Sequence, residues 1–118
     1  MFLKIKNRII SEKKKPLIVF EISANHQKSK SKIYKLINEA KKIGAEAIKF
    51  QTFRTDEMTI NSGYKDFVIK SKFKNKSWNN RSLFSLYKQA QFPFEWHKDI
   101  FDYAKKKKLI CFSSVFDQ

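Results

Sequence analysis

The 118-residue sequence contains little cysteine, glycine or proline: one Cys, two Gly and two Pro. The single cysteine, Cys111, excludes an internal disulfide and suits a reducing compartment. Because glycine occurs only at Gly44 and Gly63, the glycine-rich fingerprints of P-loop and dinucleotide-binding proteins are absent. No apolar run is long enough to cross a bilayer, and residues 1–6 alternate apolar residues with lysine, unlike a signal peptide. We therefore expect a cytoplasmic protein without a membrane partner.

Acidic residues and arginine are scarce beside lysine. The chain has 26 basic and 11 acidic residues, a formal charge of +15, and its only arginines are Arg8, Arg54 and Arg81. Proteins that read bases or clamp phosphates use arginine for its bidentate fork. Lysine spread along the whole chain is typical of ordinary surface positions, so we expect salt-sensitive adsorption to polyanions and no specific nucleic-acid partner. A hydrophobic fraction of 42% argues against disorder.

Short apolar runs predict three buried strands. They lie at 17–22, 46–51 and 109–114 and are rich in β-branched and aromatic residues. Ahead of them, residues 1–15 contain an alternating segment that is typical of an edge strand or a hairpin arm. The first βα units are therefore expected to occupy 16–118.

Apolar residues at spacings of three and four predict helices between these strands. The predicted helices are 33–43, 83–90 and 93–108. Ser29 or Ser31 is a suitable N-cap for the first helix, and Gly44 is a suitable stop. The second helix is expected to begin near Asn80 or Ser82, after a polar segment without a sustained period.

The order of these elements predicts an α/β protein with parallel strands. A strand, a helix, a glycine turn and a second strand within about 35 residues form a βαβ unit with a right-handed crossover. Three parallel strands leave two unpaired edges, and a closed eight-stranded barrel needs about 250 residues. We therefore expect a single domain that is the N-terminal portion of a larger fold.

Polar residues follow the predicted strands where each strand ends. They are Glu21, Ser23, Asn25 and His26, then Lys49, Gln51, Thr52 and Arg54, then Ser113, Ser114 and Asp117. Because parallel α/β folds bind ligands at this edge, the set predicts a site for an anion and a sugar. Lysine and hydroxyl groups bind phosphate, and a nearby carboxylate can move a proton.

Each of these residues also has a structural interpretation. Glu21 alone is compatible with a hydrogen-bonded structural carboxylate. Lys49, inside an apolar strand, is harder to explain in that way, because a buried ammonium is costly without a partner. His26 lies in a predicted turn with no second His or Cys at ligand spacing, so no metal site is predicted around it.

Five motifs, in order, resemble the N-terminal half-barrel of the sialic acid synthase family. They are IVFEISANH at 18–26, GAEAIKFQT at 44–52, LFSLYK at 83–88, PFEWH at 93–97 and ICFSS at 110–114. The resemblance covers nearly the whole chain. The SANH and PFEWH forms are most similar to the pseudaminic acid synthase branch, with the N-acetylneuraminate and legionaminic acid synthases as near alternatives.

The resemblance implies a (β/α)8 transferase that condenses phosphoenolpyruvate with an open-chain N-acetylated amino sugar and releases phosphate. Glu21 matches an acidic residue that transfers a proton or positions water. Lys49 matches the lysine that binds phosphoenolpyruvate, and Gln51 matches a residue that contacts the sugar substrate. The remaining implied substrate-binding positions are Asn25, His26 and Ser114, the last near phosphoenolpyruvate.

Family enzymes use a divalent metal, Mg²⁺ or Mn²⁺, and form homodimers. In the family, the metal-binding histidines, further phosphate ligands and a C-terminal antifreeze-like domain correspond to positions beyond residue 118. We therefore expect no metal ligands in this sequence and no synthase activity from the chain alone. The alternatives are an inactive basic binding module, a relic of a truncated gene, or one half of a split enzyme.

Overall fold

The structure is a computed structural model that describes residues 1–70 and 78–116. Its centre is a parallel sheet of three strands, β3 (Val19–Glu21), β4 (Ala47–Thr52) and β5 (Ile110–Val115), with β4 in the middle. The predicted α/β class with three parallel strands is therefore confirmed. β3 is shorter than predicted, although hydrogen bonds to β4 continue past both ends, at the carbonyl of Ile18 and the amide of Ile22.

A small antiparallel hairpin precedes this sheet. It consists of β1 (Leu3–Ile5) and β2 (Arg8–Ile10). Arg8 ties the hairpin to the start of β4, because its Nε lies 2.6 Å from Glu46 Oε2 and its Nη2 donates to the carbonyl of Lys15 at 2.7 Å. The hairpin is thus held near the N-terminal ends of the parallel strands.

Within the described residues, helices and 3₁₀ turns connect the strands. They are α1 (Lys30–Lys42), α2 (Thr55–Met58), the turn Lys65–Phe67, α3 (Leu83–Ala90), the turn Phe94–Trp96 and α4 (His97–Lys106). Ser29 caps α1 by accepting from the Lys32 amide, and Ser82 caps α3 by accepting from the Ser85 amide. The one-turn helix α2 is absent from the sequence prediction, because four residues are too few to show a helical period. Every helix within the described ranges is too short or too polar to span a membrane.

The core lies between one face of the sheet and the helices α1 and α4. Ile48 and Phe50 of β4 are fully buried there, against Ile37 of α1 and Ile100 of α4. The Phe50 ring lies 5.2 Å from that of Phe92, between centroids. Because side chains alternate along a strand, the other face of β4 points away from this core.

Candidate active site

Four predicted site residues share the face of the sheet that the helices leave uncovered. In the parallel register Glu21 is paired with Lys49, and Gln51 is paired with Ser114. Paired residues of a parallel ladder point to the same side, and Lys49 and Gln51 are two residues apart on β4. The sequence places all four near the C-terminal strand ends, and the register brings them onto one surface.

Lys49 and Glu21 form an ion pair on this face. Lys49 Nζ lies 2.7 Å from Glu21 Oε2, and the side chains are 30% and 37% exposed. An ammonium within an otherwise apolar strand therefore has a charged partner while it remains open to solvent. A pair this exposed contributes little to stability, so its groups remain available to an incoming ligand.

Ser23 orients the Glu21 carboxylate. Its backbone amide and its hydroxyl both donate to Glu21 Oε1 at 3.1 Å, which leaves Oε2 to Lys49. The left-handed backbone of Ser23, with φ of 48°, turns the chain so that these bonds form. Ser23 is one of the polar residues predicted at this edge of the sheet, but its role in orienting Glu21 is not predicted. The sequence signal for it is a hydroxyl two residues after a carboxylate, a spacing at which local side chain to backbone turns form.

Gln51 and Ser114 extend the polar surface beyond the ion pair. Both are partly buried, and neither side chain is hydrogen-bonded to another described residue. An amide and a hydroxyl therefore stand beside the Glu21–Lys49 pair. This face offers a cation, a carboxylate, an amide and a hydroxyl, a set that suits a substrate with both phosphate and sugar-like groups.

Asn25 and His26 lie in the loop between β3 and α1. Asn25 is exposed, and its side-chain nitrogen donates to the carbonyl of Ile22 at 3.0 Å. His26 is fully buried: its Nε2 lies 3.1 Å from the carbonyl oxygen of Ala90, and its Nδ1 accepts from the Lys28 amide at 3.1 Å. Both ring nitrogens thus bind backbone, so the structure makes His26 an anchor between this loop and α3 and does not bring it to the Glu21–Lys49 pair.

The environment of His26 favours its neutral form. Burial lowers the pKa of the imidazole, and the nearby charges of Lys28 and Lys32 lower it further, against the raising effect of the bond to Ala90. A carbonyl oxygen only accepts, so Nε2 carries the proton and Nδ1 is the acceptor. His26 therefore has one tautomer, fixed by two backbone groups.

The described residues contain no metal-binding cluster. Within residues 1–70 and 78–116, no three His, Cys, Asp or Glu side chains come together in a way that could hold an ion. Asp117, predicted from its place after the last strand, lies outside the described residues.

The chain is similar in sequence to several synthases. A family model described as "NeuB family" matches residues 36–118. Pseudaminic acid synthase of Campylobacter jejuni is 46% identical over 103 residues, which are 87% of this chain and 29% of that protein. Pseudaminic acid synthase of Helicobacter pylori is 37% identical over 101 residues, which are 86% of this chain and 28% of that protein. The chain thus spans less than a third of the length of the curated relatives it matches.

Solved structures show the same fold. N-acetylneuraminic acid synthetase of Leptospira borgpetersenii, in complex with citrate, matches with a TM-score of 0.74 at 23% identity, over 99% of this chain and 35% of that one. The spore coat polysaccharide biosynthesis protein SpsE of Bacillus subtilis matches with a TM-score of 0.66 at 27% identity, over 100% of this chain and 28% of that one. Both neighbours are (β/α)8 barrel enzymes, which confirms the predicted partial barrel. Since the family model matches well over half of the chain, this protein belongs to the NeuB family, as the resemblance to sialic acid synthases predicts.

Proposed function

We propose that this chain supplies the substrate-facing first strands of a sialic acid-like synthase of the pseudaminic acid type. The proposed reaction condenses phosphoenolpyruvate with an open-chain N-acetylated amino sugar and releases phosphate. The observation that carries the proposal is the Glu21–Lys49 pair, 2.7 Å apart on the uncovered face at the C-terminal end of the sheet. The 46% identity to a pseudaminic acid synthase supports the choice of branch.

The proposed roles follow from the chemistry of each group. Lys49 binds the phosphate or carboxylate of phosphoenolpyruvate, and Ser114 donates a hydrogen bond to the same substrate. Gln51 contacts hydroxyl or acetamido groups of the sugar. Glu21, oriented by Ser23, positions water or moves a proton beside the reacting carbon. Asn25 lies at the edge of the proposed site. His26 anchors the loop that contains Asn25 and Ser23, and Ser23 orients Glu21.

Charge explains why we expect the chain alone to be inactive. On the uncovered face of β3, β4 and β5, Lys49 is the single cation, and Glu21 already offsets it. Phosphoenolpyruvate carries several negative charges, so tight binding needs further donors converging on it. Those donors must come from outside these three strands.

The proposed metal does not fit the described residues. The family reaction uses a divalent ion, Mg²⁺ or Mn²⁺, yet no three suitable side chains come together in the described ranges. Within this chain we therefore assign no ligand to the ion and derive no step through it.

A chimaera tests the proposal. This chain would replace the matched 103 residues of the Campylobacter jejuni synthase, and phosphate release from phosphoenolpyruvate would be measured with that enzyme's sugar substrate. We expect activity in the chimaera, none in the isolated chain, and a loss of about 100-fold or more with Lys49→Ala or Glu21→Ala.

The matched control is Lys98→Ala. Lys98 also forms an ion pair, with Asp102 at 2.9 Å, but it lies on α4 and its side chain is 85% exposed. This variant should keep full activity. Unchanged activity with Lys49→Ala, or phosphate release by the isolated chain, would refute the proposed site. Activity restored only by a second chain from the same source would instead identify a split enzyme.

A further inference from the structure

A hydrogen-bonded chain of three side chains lies on the helix side of the sheet, directly behind the proposed site. Thr52 Oγ1 is 2.8 Å from His97 Nε2 and 2.6 Å from Ser113 Oγ. His97 Nδ1 is 2.9 Å from the carbonyl oxygen of Phe94. The chain therefore joins the C-terminal ends of β4 and β5 to the first residue of α4.

The partners fix the direction of each hydrogen bond. The Phe94 carbonyl only accepts, so His97 Nδ1 carries the proton and Nε2 is the acceptor. The Thr52 hydroxyl then donates to Nε2, and the Ser113 hydroxyl donates to Thr52 Oγ1. Thr52 Oγ1 thus donates one hydrogen bond and accepts another. The Ser113 hydroxyl also lies 3.3 Å from the carbonyl oxygen of Ser114, but its single proton goes to the nearer Thr52 Oγ1, 2.6 Å away. The His97 tautomer is the opposite of the one assigned to His26.

These polar groups lie at the edge of the apolar core. Ile48 and Phe50, the neighbouring helix-side residues of β4, are fully buried; Thr52 is buried, and Ser113 and His97 are partly buried. Burying hydroxyls and a ring nitrogen costs free energy unless all their hydrogen bonds form. A fully bonded polar set therefore favours a single arrangement of the groups it joins.

The joined strand ends carry two proposed substrate contacts on their opposite face. Gln51 directly precedes Thr52, Ser114 directly follows Ser113, and Gln51 and Ser114 are paired in the register. The Phe116 amide also donates to the carbonyl of Thr52 at 3.1 Å, so the strand ends are tied by backbone as well. Holding Thr52 and Ser113 together thus fixes the spacing between the Gln51 and Ser114 side chains.

We propose that His97 is a positioning residue: through Thr52 and Ser113 it sets the geometry with which Gln51 and Ser114 meet their substrates. The proposal rests on the proposed function, which gives those two residues their contacts. His97 itself touches no substrate. A displacement of about 1 Å at a binding group can reduce a rate by about 100-fold, so the loss of this hydrogen-bonded chain should reduce activity.

Two substitutions of His97 separate positioning from packing. His97→Phe keeps the ring contacts with Phe92, Phe94 and Phe101, at 4.7, 5.6 and 5.7 Å, but has no acceptor for Thr52. His97→Gln loses the ring and keeps an acceptor oxygen near the position of Nε2. Amide hydrogen exchange of the 118-residue chain would be measured at Ser114 and Phe116 relative to Phe50.

We expect His97→Phe to raise the relative exchange rate at Ser114 and Phe116 by about 10-fold or more, and His97→Gln by less than about 3-fold. Thr52→Val should match His97→Phe. The control is Thr55→Val, because Thr55 is also a buried threonine whose hydroxyl donates to a side chain, Gln91 Oε1, at 2.8 Å outside this network. It should leave Ser114 and Phe116 unchanged.

Protection retained in His97→Phe and lost in His97→Gln would overturn the proposal, because ring packing would then be the whole role. If His97→Phe unfolds the chain, Thr52→Val and Ser113→Ala test the proposal instead, since each removes a hydroxyl of the network and leaves the ring of His97 in place. Long-range ¹H–¹⁵N correlation gives a second readout, and a proton on Nε2 of neutral His97 would contradict the proposal.

These measurements need no substrate. An inactive chimaera would therefore refute the proposed function and leave the exchange result standing. In an active chimaera, His97→Phe should raise the KM for the sugar more than it lowers kcat, and His97→Gln should restore that KM. An unchanged KM in His97→Phe would contradict the positioning role.

Discussion

The two faces of the parallel sheet are built from alternate residues of the same strands and have opposite properties. On the helix side of β4, Ile48 and Phe50 are fully buried. On the other side, Val19 of β3 and Phe112 of β5 are 39% and 40% exposed, around the Glu21–Lys49 pair. One face therefore supports the fold and the other is free for chemistry. Substitutions at adjacent positions of one strand should therefore have different effects: those on the helix side should reduce stability, and those on the open face should reduce activity.

The largest expected effect is on the helix side. Phe50→Ala should lower the free energy of unfolding by about 3–5 kcal/mol, because it removes a fully buried ring and leaves a cavity. Phe112→Ala, an aromatic deletion on the open face of the neighbouring strand, should cost less than about 1.5 kcal/mol. Urea unfolding of both variants measures the difference. Equal losses would mean that both faces are structural.

His26 should make stability depend on pH. Because its pKa is lowered in the fold, the unfolded chain binds a proton at a higher pH than the folded chain does. Stability should therefore be complete above the unfolded value of about 6.5 and fall as pH falls through the lowered value. Urea unfolding at a series of pH values measures this loss.

Replacement of His26 isolates its contribution. His26→Leu should cost about 1–3 kcal/mol at neutral pH, because it leaves the Lys28 amide and the Ala90 carbonyl without their partner. Its stability should then change less on acidification than that of the wild type. Thr55→Val, which removes another buried hydrogen-bonding side chain and keeps His26, should retain the pH dependence of the wild type. A His26→Leu variant with the same acid loss would assign that loss to other groups.

The Glu21–Lys49 pair should contribute little to stability. A double-mutant cycle with Glu21→Ala and Lys49→Ala should give a coupling of less than about 1 kcal/mol that weakens with salt, because both side chains are partly exposed. The exposed Lys98–Asp102 pair is the reference. A coupling above about 2 kcal/mol would indicate a structural ion pair and remove the contrast between the two faces.

The smallest expected effect is on the rate at which Cys111, on the helix side of β5, is alkylated. Burial raises the pKa of this thiol to about 12, against a small lowering effect of Lys6. Alkylation by iodoacetamide at pH 8 should therefore be at least about 10-fold slower in the native chain than in urea, because the thiolate is the nucleophile. Equal rates would show that this face is open.

The sequence predicts the elements whose patterns are local. β4 and β5 lie within one residue of their predicted bounds. Ser29 and Ser82 cap α1 and α3, and each cap is predictable because it is one hydrogen bond to an amide three residues further along the chain. The shared face of Lys49 and Gln51 also follows from strand alternation alone.

The remaining features depend on contacts between distant residues. The bond between His26 and Ala90 spans 64 residues, and the bond between Thr52 and Ser113 spans 61. No local pattern encodes such pairs. The sequence therefore marks His26 as a polar loop residue, while only the fold shows that it is buried and fully bonded to backbone.

Phosphate release from phosphoenolpyruvate by the chimaera, compared between Lys49→Ala and Lys98→Ala, tests the central claim most directly. If the open face is the substrate face, Lys49→Ala abolishes release and Lys98→Ala leaves it at the unsubstituted rate. Equal release by the two variants would contradict the assignment of this face to the substrates.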